Sequence, residues 1–131
     1  MGDKKTRYKI PSGVKEEARR GRTLRTMHGY GGGKVTKAIN YRLRVQKDVG
    51  YGTAVKIDTY YRRHEDVDPK GENFDNRKRP SKGLIMWKMM GGNAGHSWSK
   101  RLKKSLDVIQ KKERLNKINT TLEAIQLGMV R

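Results

Sequence analysis

The one dense apolar run of this 131-residue chain lies between Pro80 and Leu102, so any core must be organised around it. It contains both tryptophans, Trp87 and Trp98, together with Leu84, Ile85, Met86, Met89, Met90 and Leu102. Ser81 stands where a side-chain oxygen can cap the free amides of a first helical turn. Gly91-Gly92 then interrupts the run with two residues that disfavour a helix interior and suit a tight turn. Beyond them, Trp98 and Leu102 share a face while Lys100, Arg101, Lys103 and Lys104 lie off it. The segment predicts two buried helices joined by a glycine turn, the second with a basic outer face.

Elsewhere apolar positions recur at helical rather than alternating spacing. Ile10-Pro11-Ser12 predicts a helix start with Ser12 as cap. Val14, Ala18, Gly21 and Leu24 make a stripe over residues 13 to 28, with Arg19, Arg20, Arg22 and Arg25 outside it. His28 to Lys34 is glycine-rich and ends that helix. Val35, Ala38, Ile39 and Leu43 predict a second helix over 34 to 46, with Lys34, Lys37, Arg42 and Arg44 as its cations. After Gly50 and Gly52, Thr53 is the expected cap of a third helix over 54 to 64, with Ala54, Ile57, Tyr60 and Tyr61 inward and Lys56, Arg62 and Arg63 outward. Residues 66 to 80 have the Pro, Gly, Asp and Asn content of a long connection, with Phe74 as an anchor. Past Trp98 the stripe runs through Leu102, Leu106 and Ile109 and resumes out of phase at Leu115, Ile118, Leu122 and Ile125. Thr120-x-x-Glu123 matches a capping box and predicts a break before a last short helix ending at Gly128. The expected fold class is all-α: a compact bundle of five or six short helices joined by glycine-rich turns, with an amphipathic C-terminal helical extension. The expected organisation is a flexible basic lead over 1–10, a helical domain over 11–104 and the extension over 105–131.

Charge narrows the function. Lys and Arg number 32 against 13 Asp and Glu, a formal +19. That excess makes a compact body repel itself unless a polyanion neutralises it, and a nucleic acid is the first such partner to consider. Residues 64 to 79 carry five acids against four bases, an expected gap in the cationic surface. With no cysteine, disulfides, thiolate metal sites and a cysteine nucleophile are excluded. No run of about 18 apolar residues predicts a membrane span, and Met1 to Lys9 lacks the apolar middle of a signal peptide. The expected location is inside a cell or packaged within a particle.

Several sharper chemistries compete with plain packing. The Gly31-Gly32-Gly33-Lys34 run lacks the GxxxxGK[ST] pattern and follows a helix instead of a strand, so a turn is favoured over a phosphate loop. His64, Glu65 and Asp68 could hold a divalent ion for phosphodiester hydrolysis, but their spacing matches no metal signature, and no catalytic or metal-ligating residue, and no cofactor, is assigned. Trp87 and Trp98 suit a core better than base stacking, which leaves Tyr30 and Tyr51 as the aromatics expected to be exposed. A helix-turn-helix reading base edges is less favoured than contact to phosphate and sugar.

Residues 10 to 103 also carry an ordered set of motifs: Ile10-Pro11, Val14, Ala18-Arg19-Arg20-Gly21, Leu24-Arg25, His28-Gly29, Gly31-Gly32, Val35, Arg63-His64-Glu65, Val67-Asp68, Lys70-Gly71, and Pro80-Ser81-x-Gly83-x-Ile85-x-Trp87 followed by Gly91-Gly92, Gly95 and Trp98. In these the chain resembles an uncharacterised domain family of tailed bacteriophages, found alone or attached to prohead-protease-like or portal-like proteins. It departs from that pattern at Val49 to Thr53 and at Met90. The resemblance implies a phage setting and a compact helical module; it assigns no site residue.

The resulting expectation is a small basic protein that binds nucleic acid, DNA in preference to RNA, through backbone electrostatics in an architectural or packaging role. The expected contacts are Arg19, Arg20, Arg22, Arg25, Lys34, Lys37, Arg42, Arg44, Arg62, Arg63, Lys100, Arg101, Lys103 and Lys104. The alternatives are a virion or capsid-associated structural protein, with phage capsid proteins as partners, and a metal-dependent nuclease. Residues 105 to 131 are candidates for self-association.

Overall fold

The computed structural model describes residues 4–67, 69 and 78–128. Among them are five helices: α1 (Ser12–His28), α2 (Lys34–Val45), α3 (Tyr51–His64), α4 (Lys82–Met89) and α5 (Gly92–Gln126). Two short strands, β1 (Tyr8–Lys9) and β2 (Asp48–Val49), pair antiparallel with Tyr8 opposite Val49. The all-α class holds, with that two-stranded clip added.

The clip corrects the expectation of a flexible lead with little to bury. Tyr8 is 7% and Ile10 3% exposed, and both belong to the core. Arg7 pairs with Asp48 at 2.8 Å, and the Tyr8 hydroxyl lies 3.1 Å from that of Ser105 on α5. The lead is pinned because Tyr8 and Ile10, two residues apart, put their side chains on the same side of an extended segment.

The helix starts follow the sequence unevenly. Ser81 caps α4 by accepting from the Leu84 amide at 3.0 Å. Ser12 and Thr53 do not cap: Pro11 and Gly50 occupy the cap positions, and Thr53 is a buried residue inside α3. The capping box at Thr120 does not break α5 either. The hydroxyls of Thr120 and Thr121 donate to the carbonyls of Asn116 and Lys117, one turn back, so the helix passes through. The result is one helix of 35 residues instead of two.

The body is built on the contact of α1 with α4. Gly21 faces the α4 backbone so closely that a Cβ there would lie 2.2 Å from the Met89 amide nitrogen. α2 completes this junction from the side, but its inward face is not the expected stripe. Thr36, Ile39, Asn40 and Leu43 are buried, whereas Val35 is 59% exposed and Ala38 is also outside. The reason is Asn40, 2% exposed: its Nδ2 donates to the carbonyls of Ala18 on α1 and Met89 on α4, each at 2.9 Å. A buried amide with its donors satisfied is tolerated, and here it sets the rotation of α2.

The α4–α5 turn carries the second close approach. Gly91 and Gly92 have φ of 121° and 63°, which disfavour any side chain. Just past them, a Cβ on Gly95 would meet the Tyr61 hydroxyl at 2.6 Å. Tyr61 is 1% exposed and donates to the Gly92 carbonyl at 2.8 Å. Trp87 packs edge-on against its ring, and Trp98 is 4% exposed, so both tryptophans are core residues. Tyr30 and Tyr51 are half-buried, contrary to the exposed role expected of them: the Tyr30 hydroxyl donates to the Pro80 carbonyl and Tyr51 packs on the core. Phe74 lies outside the described residues.

Two glycines separate packing from backbone preference. Gly21→Ala is expected to lower unfolding stability by about 3 kcal/mol, since the obstacle is main chain and cannot move aside. Gly52→Ala, in open space near the start of α3, is expected to raise stability by about 0.5 kcal/mol. Denaturant unfolding of the two variants checks both signs.

Candidate nucleic-acid interface

The exposed surface of α1 is divided by its own sequence. On one side Arg20 is neutralised by Glu16 at 2.8 Å and Glu17 at 3.4 Å, and Glu17 also accepts from Lys88 at 3.1 Å. On the side towards α2, Lys15, Arg19 and Arg22 follow at helical spacing with no carboxylate among them. Lys15 donates to the carbonyls of Leu43, at 3.3 Å, and Gln46. Its ammonium therefore sits on the C-terminal end of α2, where carbonyls lack helical partners and the dipole is negative. Burial, then the nearby Arg19 charge, lowers the Lys15 pKa from its ordinary value.

Arg44 approaches the same place from α2. Its Nε donates to Asn40 Oδ1 at 2.8 Å, so the amide that joins the three helices also orients this guanidinium. Burial and then the charge of Arg22 lower its pKa, as expected of cations brought together. Arg19, Arg22, Thr23, Arg44 and Val45 line an open cavity of about 360 Å³ between α1 and α2. Among the described residues neither Arg19 nor Arg22 forms an ion pair. Three guanidiniums facing one concavity without a carboxylate in its wall make a receptor for an anion with several acceptor oxygens, and guanidinium geometry suits phosphate.

The other expected contacts are dispersed. Arg25 donates through Nε to the Gly31 carbonyl at 2.8 Å and holds the α1–α2 turn. Arg42 donates to the Thr53 hydroxyl at 2.8 Å, and Arg62 pairs with Asp58 at 3.2 Å. Asp58 is 6% exposed, and burial raises its pKa against the opposing charges of Arg62 and Lys103. Lys34 and Lys37 are exposed on the first half of α2. Arg63 borders a separate groove between α2 and α3 of about 260 Å³, walled by Val35, Ile39, Val55, Tyr60 and Met90. Lys100 and Lys103 are near enough to Glu65 to help lower its pKa, and Arg101 and Lys104 are exposed on α5. Of the fourteen expected contacts, the cavity gathers Arg19, Arg22 and Arg44. Lys15, which was not among them, adjoins the same face; its place in the 15, 19, 22 spacing was the available signal.

The residues weighed for nuclease chemistry separate. His64 stacks on the Tyr60 ring at 4.5 Å, whereas Glu65 turns to His96 on α5, with 2.6 Å between Oε2 and Nε2. Asp68 lies outside the described residues. Among the described residues no group of three or more His, Cys, Asp or Glu is placed to hold a metal ion, and no helix is long and apolar enough to cross a membrane. Comparison with protein-family models, curated proteins and solved structures returned no match.

The Glu65–His96 contact ties the end of α3 to α5 and has a pH signature. The His96 hydrogen bond, then its charge and those of Lys100 and Lys103, hold the Glu65 carboxyl below its usual value of 4.5, with desolvation opposing. A depressed folded-state value contributes stability that is present above the usual value and is lost as pH falls through the folded one. Glu65→Gln is therefore expected to flatten the stability-against-pH curve in the range below 4.5; chemical denaturation across pH measures this.

Proposed function

We propose that the protein binds nucleic acid through the phosphate backbone, with the Arg19, Arg22 and Arg44 cavity as the principal phosphate contact. The convergence of these three arginines carries the proposal. Charge alone would be a weaker support, since Arg20 and Arg62 are compensated by neighbouring acids and Arg25 and Arg42 hold the fold. The net +19 supplies the long-range attraction, and the cavity supplies a place where a phosphate replaces its counterions with fixed donors. Contacts of this kind position a polymer without reading its sequence, which suits an architectural or packaging role. The resemblance to a tailed-phage family makes duplex DNA the first polymer to test.

Affinity for a short DNA duplex is expected to fall steeply with salt and to be insensitive to sequence. Each phosphate contact contributes about 0.9 to the slope of log K against log salt, so Arg19→Ala with Arg22→Ala should reduce that slope by about 2. Arg20→Ala, which frees Glu16 and Glu17 rather than emptying the cavity, should leave a larger share of the slope. Fluorescence anisotropy at several salt concentrations gives the result. Equal slopes for the wild type and the double variant would remove the cavity from the account.

A further inference from the structure

Among the described residues Tyr41 is the one exposed tyrosine, tryptophan or phenylalanine, at 56%. Its place follows from Asn40. With that amide held inward by the carbonyls of Ala18 and Met89, the next residue of α2 turns about 100° round the helix, to solvent. The ring does not stand alone. Arg44, one turn on, holds its guanidinium over the ring at 5.8 Å from the centroid, a cation–π distance. Val45, 54% exposed, neighbours Tyr41 at the i,i+4 spacing and lines the arginine cavity together with Arg44. The aromatic ring therefore adjoins the cavity through two of its wall residues.

Tyr41 also stands in a row. Lys34, Lys37, Tyr41 and Arg44 follow at spacings of 3, 4 and 3, which places them along one side of α2. The row is about 15 Å long. Lys34 and Lys37 are exposed, and α2 contains no Asp or Glu. Two cations, a ring and a third cation thus lead along the helix into the cavity. A line of cations that follows a backbone, with an aromatic platform set within it, is how single strands are bound without regard to sequence. In a duplex each base face is covered by its neighbours in the stack, so a ring in this position has nothing to stack on.

We infer that the Arg19, Arg22 and Arg44 cavity takes the backbone of a single strand, with an unpaired base stacked on Tyr41 and a flanking phosphate on Lys37. The inference rests on the phosphate-binding proposal for that cavity and names the form of polymer it serves. The stacking role that the sequence suggested for Tyr30 and Tyr51 falls to Tyr41, whose exposure follows from the rotation of α2 about Asn40.

Three probes of equal length separate the ring from the cations: a short oligo-dT, an abasic strand with the same phosphates, and a duplex. In fluorescence anisotropy, Tyr41→Ala is expected to weaken oligo-dT binding about tenfold and to leave the abasic strand and the duplex bound as by the wild type. Tyr41→Phe, which keeps the ring, is expected to bind oligo-dT as the wild type does. Helix content and unfolding midpoint should be unchanged in both variants, since the position is exposed. Undiminished oligo-dT binding by Tyr41→Ala would overturn the inference. So would an equal loss on the abasic strand, which would make the ring a support for Arg44, or a wild type that binds the duplex and neither strand. Each of these would leave salt-dependent phosphate binding standing. A wild type with no salt-dependent binding to any of the three probes would remove both readings.

Discussion

Asn40 is the residue on which the arrangement of the body turns. Its amide nitrogen joins the carbonyls of Ala18 and Met89, and its oxygen receives Arg44. One side chain therefore fixes three helices to one another and directs a cation outward from the same point. The contact is possible because Gly21 lets the α1 and α4 backbones approach without an intervening side chain. Loss of either would leave buried polar groups without partners or main chain in collision, both among the few mechanisms that cost several kcal/mol. The basic cavity is thus an extension of the core rather than a decoration of the surface.

The same dependence explains what was legible in the sequence. The Leu84 to Leu102 stretch, the glycine turn at Gly91-Gly92, the Ser81 cap and the inward set of α3 follow from periodicity and turn chemistry, because those signals are local. The expected stripe of α2 is rotated from the observed one because Val35 and Ala38 look like core residues and Asn40 does not. Its burial depends on carbonyls 22 and 49 residues away, which no local pattern reports. The clip of Tyr8 to Val49 escaped for the same reason: two strands of two residues have no periodicity to detect. The Thr120 capping box misled because a threonine hydroxyl serves equally well to bond back into a continuing helix. At the site, the arginines were visible as residue types. Their sorting into compensated, structural and converging groups required the packing of α1 against α2.

Charge and apolar surface then divide the molecule by region. Local acids absorb part of the positive charge along α1 and α3, and three of the remaining guanidiniums converge where α2 meets α1. Apolar surface that the body cannot use is carried away from it on the second half of α5.

The most direct measurement of the central claim is the response of the arginine side chains themselves. In an NMR titration of the protein with a short DNA duplex, the guanidinium signals of Arg19, Arg22 and Arg44 are expected to shift first and together, ahead of Arg62 and Arg25, which are already engaged within the fold. Early shifts confined to the α3 and α5 cations, with the cavity arginines unmoved until saturation, would contradict the account.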